Sequence, residues 1–144
     1  MILKMANLAI LRTNLRILYP MAQFINSPSI VKAAGNKEKI IKEFFGHVNS
    51  KTAEVSIAQM KSPEGWVEPG QSPKFNEYTV VLKGKLKITT KNEEFIVSEG
   101  QGIMTGKDEW VQYSTPFEGG AEYIAVCLPA FAMDLVNRDN TISS

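Results

Sequence analysis

Glu77 is the side chain in this sequence that is best placed for acid–base chemistry. It lies in the apolar stretch EYTVVLK, where strand alternation puts Glu77, Thr79 and Val81 on one face. Burial of a carboxyl group raises its pKa towards the range useful for proton transfer. Tyr113 shares a strand face with Val111 in EWVQYS and could orient a substrate or act as the acid. We therefore predict Glu77 as a catalytic residue.

Transition-metal chemistry is not expected from this composition. His47 is the only histidine and Cys127 the only cysteine, whereas transition-metal sites need several imidazole or thiolate donors. Glu77, with Gln71 and a loop acid such as Glu68, could hold a hard cation only weakly. We expect His47 to be a surface or structural residue and Cys127 a small core residue. The sequence thus predicts no metal and no cofactor.

A metal-free pocket for a small molecule is the leading expectation. If Glu77 and Tyr113 both point inward, the mouth of the predicted barrel combines them with the loop residues Trp66, Glu68 and Gln71. A few convergent polar groups among apolar walls suit a small polar ligand. Trp66 could stack on a flat ring or a sugar, or could instead fill the end of the barrel. These five residues are the predicted ligand-binding set.

The elements that must position these residues are short strands separated by turns. The strand candidates are, in chain order, TAEVSIAQM, EYTVVLK, KLKITT, EEFIVS, EWVQYS and AEYIAVC. Gly84 is predicted to form a tight connection between antiparallel strands, and Lys91-Asn92 a second hairpin turn. Residues 29–33 are predicted as a short strand and residues 36–45, NKEKIIKEFF, as a brief helix. Short strands at this spacing predict an all-β barrel or sandwich.

The segment GWVEPGQSPKFNEYTVVLKG resembles the first motif of the cupin superfamily. Gly65, Glu77 and Gly84 occupy the glycine, glutamate and glycine places of that motif. Gln71 and Pro73 stand where the motif has two metal-binding histidines. The resemblance implies a small jelly-roll β-barrel that covers roughly residues 52 to 128. The frame of the motif therefore supports the fold but lacks the usual metal ligands.

The second cupin motif is present only in outline. Gly100 opens it, Asp108 stands where a glycine is usual, Val111 replaces the histidine and Thr115 replaces the asparagine. Of the four usual metal ligands only Glu77 remains. The superfamily includes oxygenases, isomerases, storage proteins and ligand sensors, so the resemblance does not select a function.

Charge and hydropathy limit the expected partners. Residues 1–37 carry five basic residues and no acid, and the remainder carries 11 basic and 15 acidic residues. This mildly acidic body lacks the clustered Lys and Arg that nucleic acid binding needs. No apolar run approaches the ~20 residues that span a bilayer. A single cysteine favours a cytoplasmic location, with an organellar location as the alternative if the basic residues 1–20 are a presequence.

We expect an N-terminal extension over residues 1–51, covering the barrel, and a barrel domain with a short C-terminal tail over residues 52–144. Within the extension, Leu8, Leu11 and Leu15 have helical spacing. Tyr78 and Val80 face away from Glu77, and an apolar outer surface of that kind needs cover from the extension or from a second subunit. We therefore expect a homodimer.

The leading interpretation is a metal-independent, cupin-like protein that binds a small polar molecule in the barrel, such as a carbohydrate or carboxylate derivative. One alternative is an isomerase or lyase that uses Glu77 as acid–base residue or an unorthodox metal site. Another is a structural dimerisation module without a ligand.

Overall fold

Every regular element in residues 21–140, which the computed structural model describes, is a β-strand. The strands are β1 (Ser29–Val31), β2 (Ile40–Phe45), β3 (Ser56–Ser62), β4 (Trp66–Val67), β5 (Asn76–Thr90), β6 (Glu94–Ser98), β7 (Gly102–Thr105), β8 (Val111–Thr115) and β9 (Ala121–Leu128). The all-β prediction is confirmed. The helix and presequence expected within residues 1–20 lie outside the described residues. Within the described range, no helix is long and apolar enough to cross a membrane.

The strands form one curled antiparallel sheet in the order β1-β2-β3-β9-β5-β8-β4, with β6 and β7 also paired to β5. The 15-residue β5 belongs to both halves of the sheet. Its first half pairs with β7 and β9, and its second half pairs with β6 and β8. The two halves fold over an apolar core that contains Trp66, Leu86, Ile88 and Tyr123. Two packed sheets are joined at a corner by a strand that is shared between them in this way.

The tight turn predicted at Gly84 is wrong, because β5 continues through this residue. Gly84 has a φ of +77°, and a Cβ atom built there would lie 2.1 Å from the carbonyl oxygen of Gly120. The glycine therefore allows a bend and a close approach of two backbones at the point where β5 changes partners. In a sequence, a glycine between two strand-forming segments is compatible with a turn between two strands and with a bend inside one strand. The hairpin at Lys91-Asn92 is confirmed, since Thr89 pairs with Glu94.

The brief helix predicted over residues 36–45 is also wrong. Residues 40–45 form β2, which pairs with β3 on one side and β1 on the other. The isoleucine and phenylalanine pairs of this segment favour a strand, and the backbone of β3 gains hydrogen-bonding partners from it. The strand predicted over residues 29–33 is confirmed as β1. Part of the segment expected to cover the barrel thus supplies two strands of the sheet.

The predicted strand faces are confirmed. Glu77, Thr79 and Val81 are 9%, 2% and 1% exposed, whereas Tyr78 and Val80 are 42% and 50% exposed. On β8, Val111 and Tyr113 are both buried. β5 and β8 therefore direct the predicted carboxylate and phenol into the same interior.

Candidate functional site

A partly open cavity of about 70 Å³ lies within the curled sheet. Its walls come from strands β1, β2, β3, β5, β8 and β9, from the loops before β2 and after β4, and from the segment that follows β9. Its polar lining consists chiefly of Lys39, Glu68, Gln71, Glu77, Tyr113 and Arg138. Four of the five residues predicted to bind a ligand, all except Trp66, therefore meet in one cavity.

Trp66 lies behind the cavity wall rather than in the lining. Its side chain is fully buried, and its indole Nε1 donates a hydrogen bond of 3.0 Å to the carbonyl oxygen of Ala34. The Nζ atom of Lys39 lies 4.0 Å from the centroid of the indole ring. A cation over an aromatic face is attracted by the ring electrons, so Trp66 helps to hold Lys39 at the cavity. Direct contact of Trp66 with a ligand stays a prediction.

Glu77 and Glu68 are two buried carboxyl groups close enough to affect one another. Burial raises the pKa of Glu77 to about 7, and the carboxylate of Glu68 adds to the rise, while Lys39 and Tyr113 oppose it. Burial also raises the pKa of Glu68, against the opposing charges of Lys39 and Arg138. Two like charges in one apolar cavity disfavour double ionisation. The pair can therefore hold a proton near neutral pH.

Tyr113 contributes a neutral hydroxyl group to the same cavity. Burial, reinforced by the nearby charge of Glu77, raises the pKa of Tyr113 well above its ordinary value. Its hydroxyl is hydrogen-bonded to Oγ1 of Thr105 at 2.8 Å, which fixes its position. The phenol therefore keeps its proton across the physiological range and can act as a hydrogen-bond donor.

Lys39 and Arg138 also line the cavity, although no pattern in the sequence predicts them as site residues. Lys39 precedes β2, and Nζ also lies 5.2 Å from the ring centroid of Tyr123. Arg138 lies beyond β9, where its backbone bridges to that of Gln71. Neither residue belongs to a cupin motif, so the motif spacing gave no signal for them. One signal was available, since Arg138 is the only arginine after residue 16.

Two polar atoms of the site lack a hydrogen-bonding partner among the described residues. They are Oε1 of Gln71 and Nε of Arg138, and both atoms are buried. An unsatisfied buried polar group costs roughly 1–3 kcal/mol. Such groups are uncommon in folded proteins and call for an explanation, such as a bound molecule.

A cluster of metal ligands is not found within residues 21–140, where no group of three or more His, Cys, Asp and Glu is positioned to hold an ion. His47 is exposed outside the inner cavity, as expected for a surface residue. Cys127 is buried and lines the cavity, where burial raises the pKa of its thiol far above the ordinary value. That thiol is therefore a poor nucleophile. Metal independence stays a prediction.

Comparison with solved structures decides the fold. The chain is similar to the polyketide cyclase RemF from Streptomyces resistomycificus, with a TM-score of 0.65 and 13% identity over 88% of this chain and 89% of that one. It is also similar to the cupin domain of Cnp3 from Schizosaccharomyces pombe, with a TM-score of 0.56 and 10% identity over 67% of this chain and 69% of that one. This chain has the cupin fold. At such low identity, the likeness shows the fold of this chain and leaves its activity open.

A curated protein is similar in sequence to this chain. Endoribonuclease YbeY from Myxococcus xanthus (strain DK1622) is 35% identical over 101 residues, which are 70% of this chain and 34% of that protein. The chain therefore spans about a third of the length of that relative, and the activity in the relative's name is not assigned to it. No protein-family profile matches the chain.

Proposed function

We propose that this protein binds a small polar molecule in its inner cavity and that it does so without a metal ion. The observation that carries the proposal is the convergence of Glu68, Gln71, Glu77, Tyr113 and Arg138 on one cavity. Apolar walls with a few convergent polar groups are typical of ligand sites. The unpartnered Oε1 of Gln71 and Nε of Arg138 are an acceptor and a donor that a ligand can satisfy.

A second candidate function is acid–base catalysis by Glu77, of the isomerase or lyase type. It is favoured by the pKa of about 7, because a general acid or base is most effective when its pKa lies near the working pH. Tyr113 supplies a positioned proton donor in the same cavity. If turnover of an identified substrate is unchanged by Glu77→Gln, this candidate is eliminated.

The binding proposal is tested by closing the cavity. Ala125 lines the cavity from β9, so Ala125→Leu adds three carbon atoms to the ligand space. Val126→Leu is the matched control, because it adds one carbon atom on the opposite face of the same strand. Ala58→Val, on β3, closes less of the same space and serves if Ala125→Leu does not fold.

The measurement is thermal stabilisation by a panel of carboxylates, sugars and amines, together with mass spectrometry of any molecule that co-purifies. We expect at least one class to stabilise the wild type and Val126→Leu, and to lose that effect in Ala125→Leu. The proposal would be contradicted if every class of compound changed the melting temperature of all variants equally and no molecule co-purified. Elemental analysis of the same preparations tests metal independence, which a stoichiometric metal would refute.

A further inference from the structure

The polar cavity adjoins a second, more open cleft. The two spaces share lining residues that include Val31, Glu43, Phe131 and Arg138. The rest of the cleft is lined mainly by apolar side chains, among them Val48, Met133 and Leu135. A polar chamber thus meets a mostly apolar cleft, with Arg138 in the wall of both.

The sizes of the two spaces indicate how a ligand divides between them. One water molecule needs roughly 10–15 Å³ of such space. The inner cavity, at about 70 Å³, therefore has room for a polar group of a few heavy atoms. The cleft offers about 890 Å³. A ligand larger than a headgroup must extend from the cavity into the cleft.

Arg138 determines which headgroup fits the junction. Its guanidinium lies 5.7 Å from the ring centroid of Phe131, and Nη1 lies 3.8 Å from the sulfur of Met133. Neither neighbour is an anion. The ion pairs among residues 21–140 instead involve Lys61, Lys74 and Lys87. Glu68, in the adjoining cavity, feels the charge of Arg138 but forms no salt bridge with it among the described residues, and burial raises the pKa of that carboxyl group. A partly buried guanidinium in this setting favours a carboxylate ligand, which can accept two parallel hydrogen bonds from it.

Glu43, the acidic residue that lines both spaces, already has hydrogen-bonding partners. Oε1 of Glu43 accepts hydrogen bonds from the backbone N–H groups of Val48 at 3.0 Å and Asn49 at 2.8 Å. The carboxylate of Glu43 therefore serves to hold the loop at the rim of the cleft. An amine headgroup at the junction would meet the positive charges of Lys32, Lys39 and Arg138, whereas burial raises the pKa of both Glu68 and Glu77 and so disfavours their negative forms.

We propose that the ligand is a carboxylate with an apolar tail, whose carboxylate binds Arg138 at the junction and whose tail lies in the cleft against Val48 and Met133. This inference rests on the function proposed above and specifies the class of the ligand. In this proposal Arg138 recognises the headgroup of the ligand. The exposed apolar side chains of the cleft select ligands by the length of the tail.

Calorimetric titration with acetate, hexanoate and hexylamine tests the proposal. Hexanoate is expected to bind more tightly than acetate by about fourfold for each methylene that the cleft buries, and more tightly than hexylamine. Arg138→Gln is expected to weaken hexanoate binding at least tenfold, and Arg138→Lys to weaken it less, because a charge remains. Lys83→Gln, which removes an exposed charge from β5, is the control and should leave the affinity for hexanoate unchanged.

Met133→Asn tests the contact with the apolar tail separately. It should reduce the difference in affinity between hexanoate and acetate. Met133 is 69% exposed, so this variant is expected to fold even if Arg138→Gln does not. Tighter binding of hexylamine, or equal binding of acetate and hexanoate, would overturn the carboxylate-and-tail assignment. If sugars or acetate then still bind in a manner that Ala125→Leu abolishes, the proposed function stands and only this inference fails. If no probe binds, both fail.

Discussion

Replacement of Glu77 by glutamine should change how the stability of this protein depends on pH. The folded protein holds the pKa of Glu77 at about 7, compared with an ordinary value of 4.5. Between these two values the folded state keeps a proton that the unfolded state has lost. Stability therefore falls as the pH rises from 4.5 to 7 and levels off above that range. Glutamine has nearly the same shape, carries no charge and lacks this dependence.

The size of the effect follows from the two pKa values. Each pKa unit corresponds to about 1.36 kcal/mol, so the rise from 4.5 to about 7 corresponds to roughly 3 kcal/mol. This is a large share of the ~5–15 kcal/mol that stabilises a typical domain. Glu77→Gln should therefore gain up to about 3 kcal/mol relative to the wild type between pH 4.5 and pH 8.

Urea denaturation at a series of pH values between 4.5 and 8.5 measures this difference. The slope against urea should be the same for both proteins, so that the midpoints report stability directly. Glu118→Gln, an exposed carboxylate in the turn before β9, is the control and should follow the wild type. If the wild type and Glu77→Gln differ by a constant amount across the whole range, the reasoning from burial of Glu77 is refuted.

Two further predictions concern the backbone and the outer surface. Gly120→Ala should lower the free energy of unfolding by at least about 2 kcal/mol more than Gly119→Ala. Both glycines have positive φ values, but only at Gly120 would the new Cβ lie 2.1 Å from the carbonyl oxygen of Ser62. If denaturant unfolding shows that both variants lose the same free energy of unfolding, this reasoning is contradicted. The homodimer remains a prediction, and light scattering should give twice the 16.0 kDa of one chain. Val80→Lys on the outer face of β5 should shift that mass towards one chain, and a single-chain mass for the wild type would exclude the dimer.

The inward positions of Glu77 and Tyr113 could be predicted from sequence because they depend on local geometry. Side chains alternate across a strand with a period of two, so one buried residue fixes the face of its neighbours. The same local logic placed Tyr78 and Val80 on the outer surface. The cupin motif added the frame in which these strands pair, and the chain indeed has this fold.

The path of the chain at Gly84 and the role of Arg138 could not be predicted in the same way. At Gly84 the outcome depends on the backbone of Gly120, which is distant in sequence and passes too close for a side chain. Arg138 reaches the cavity because its segment pairs with Gln71 after β9 has ended. In both cases the deciding contact joins parts of the chain that are distant in sequence, so the local sequence pattern does not predict it.

The membership of β5 in both halves of the sheet has a consequence for folding. Its hydrogen-bonding partners include β9, whose residues lie more than thirty positions away along the chain. Contacts between such distant segments must form late and against a large loss of chain entropy, so we expect slow folding on the millisecond-to-second scale. Neither half retains its full set of partners without β5. The barrel should therefore fold and unfold as one cooperative unit, and a break within this one strand should disrupt both halves together.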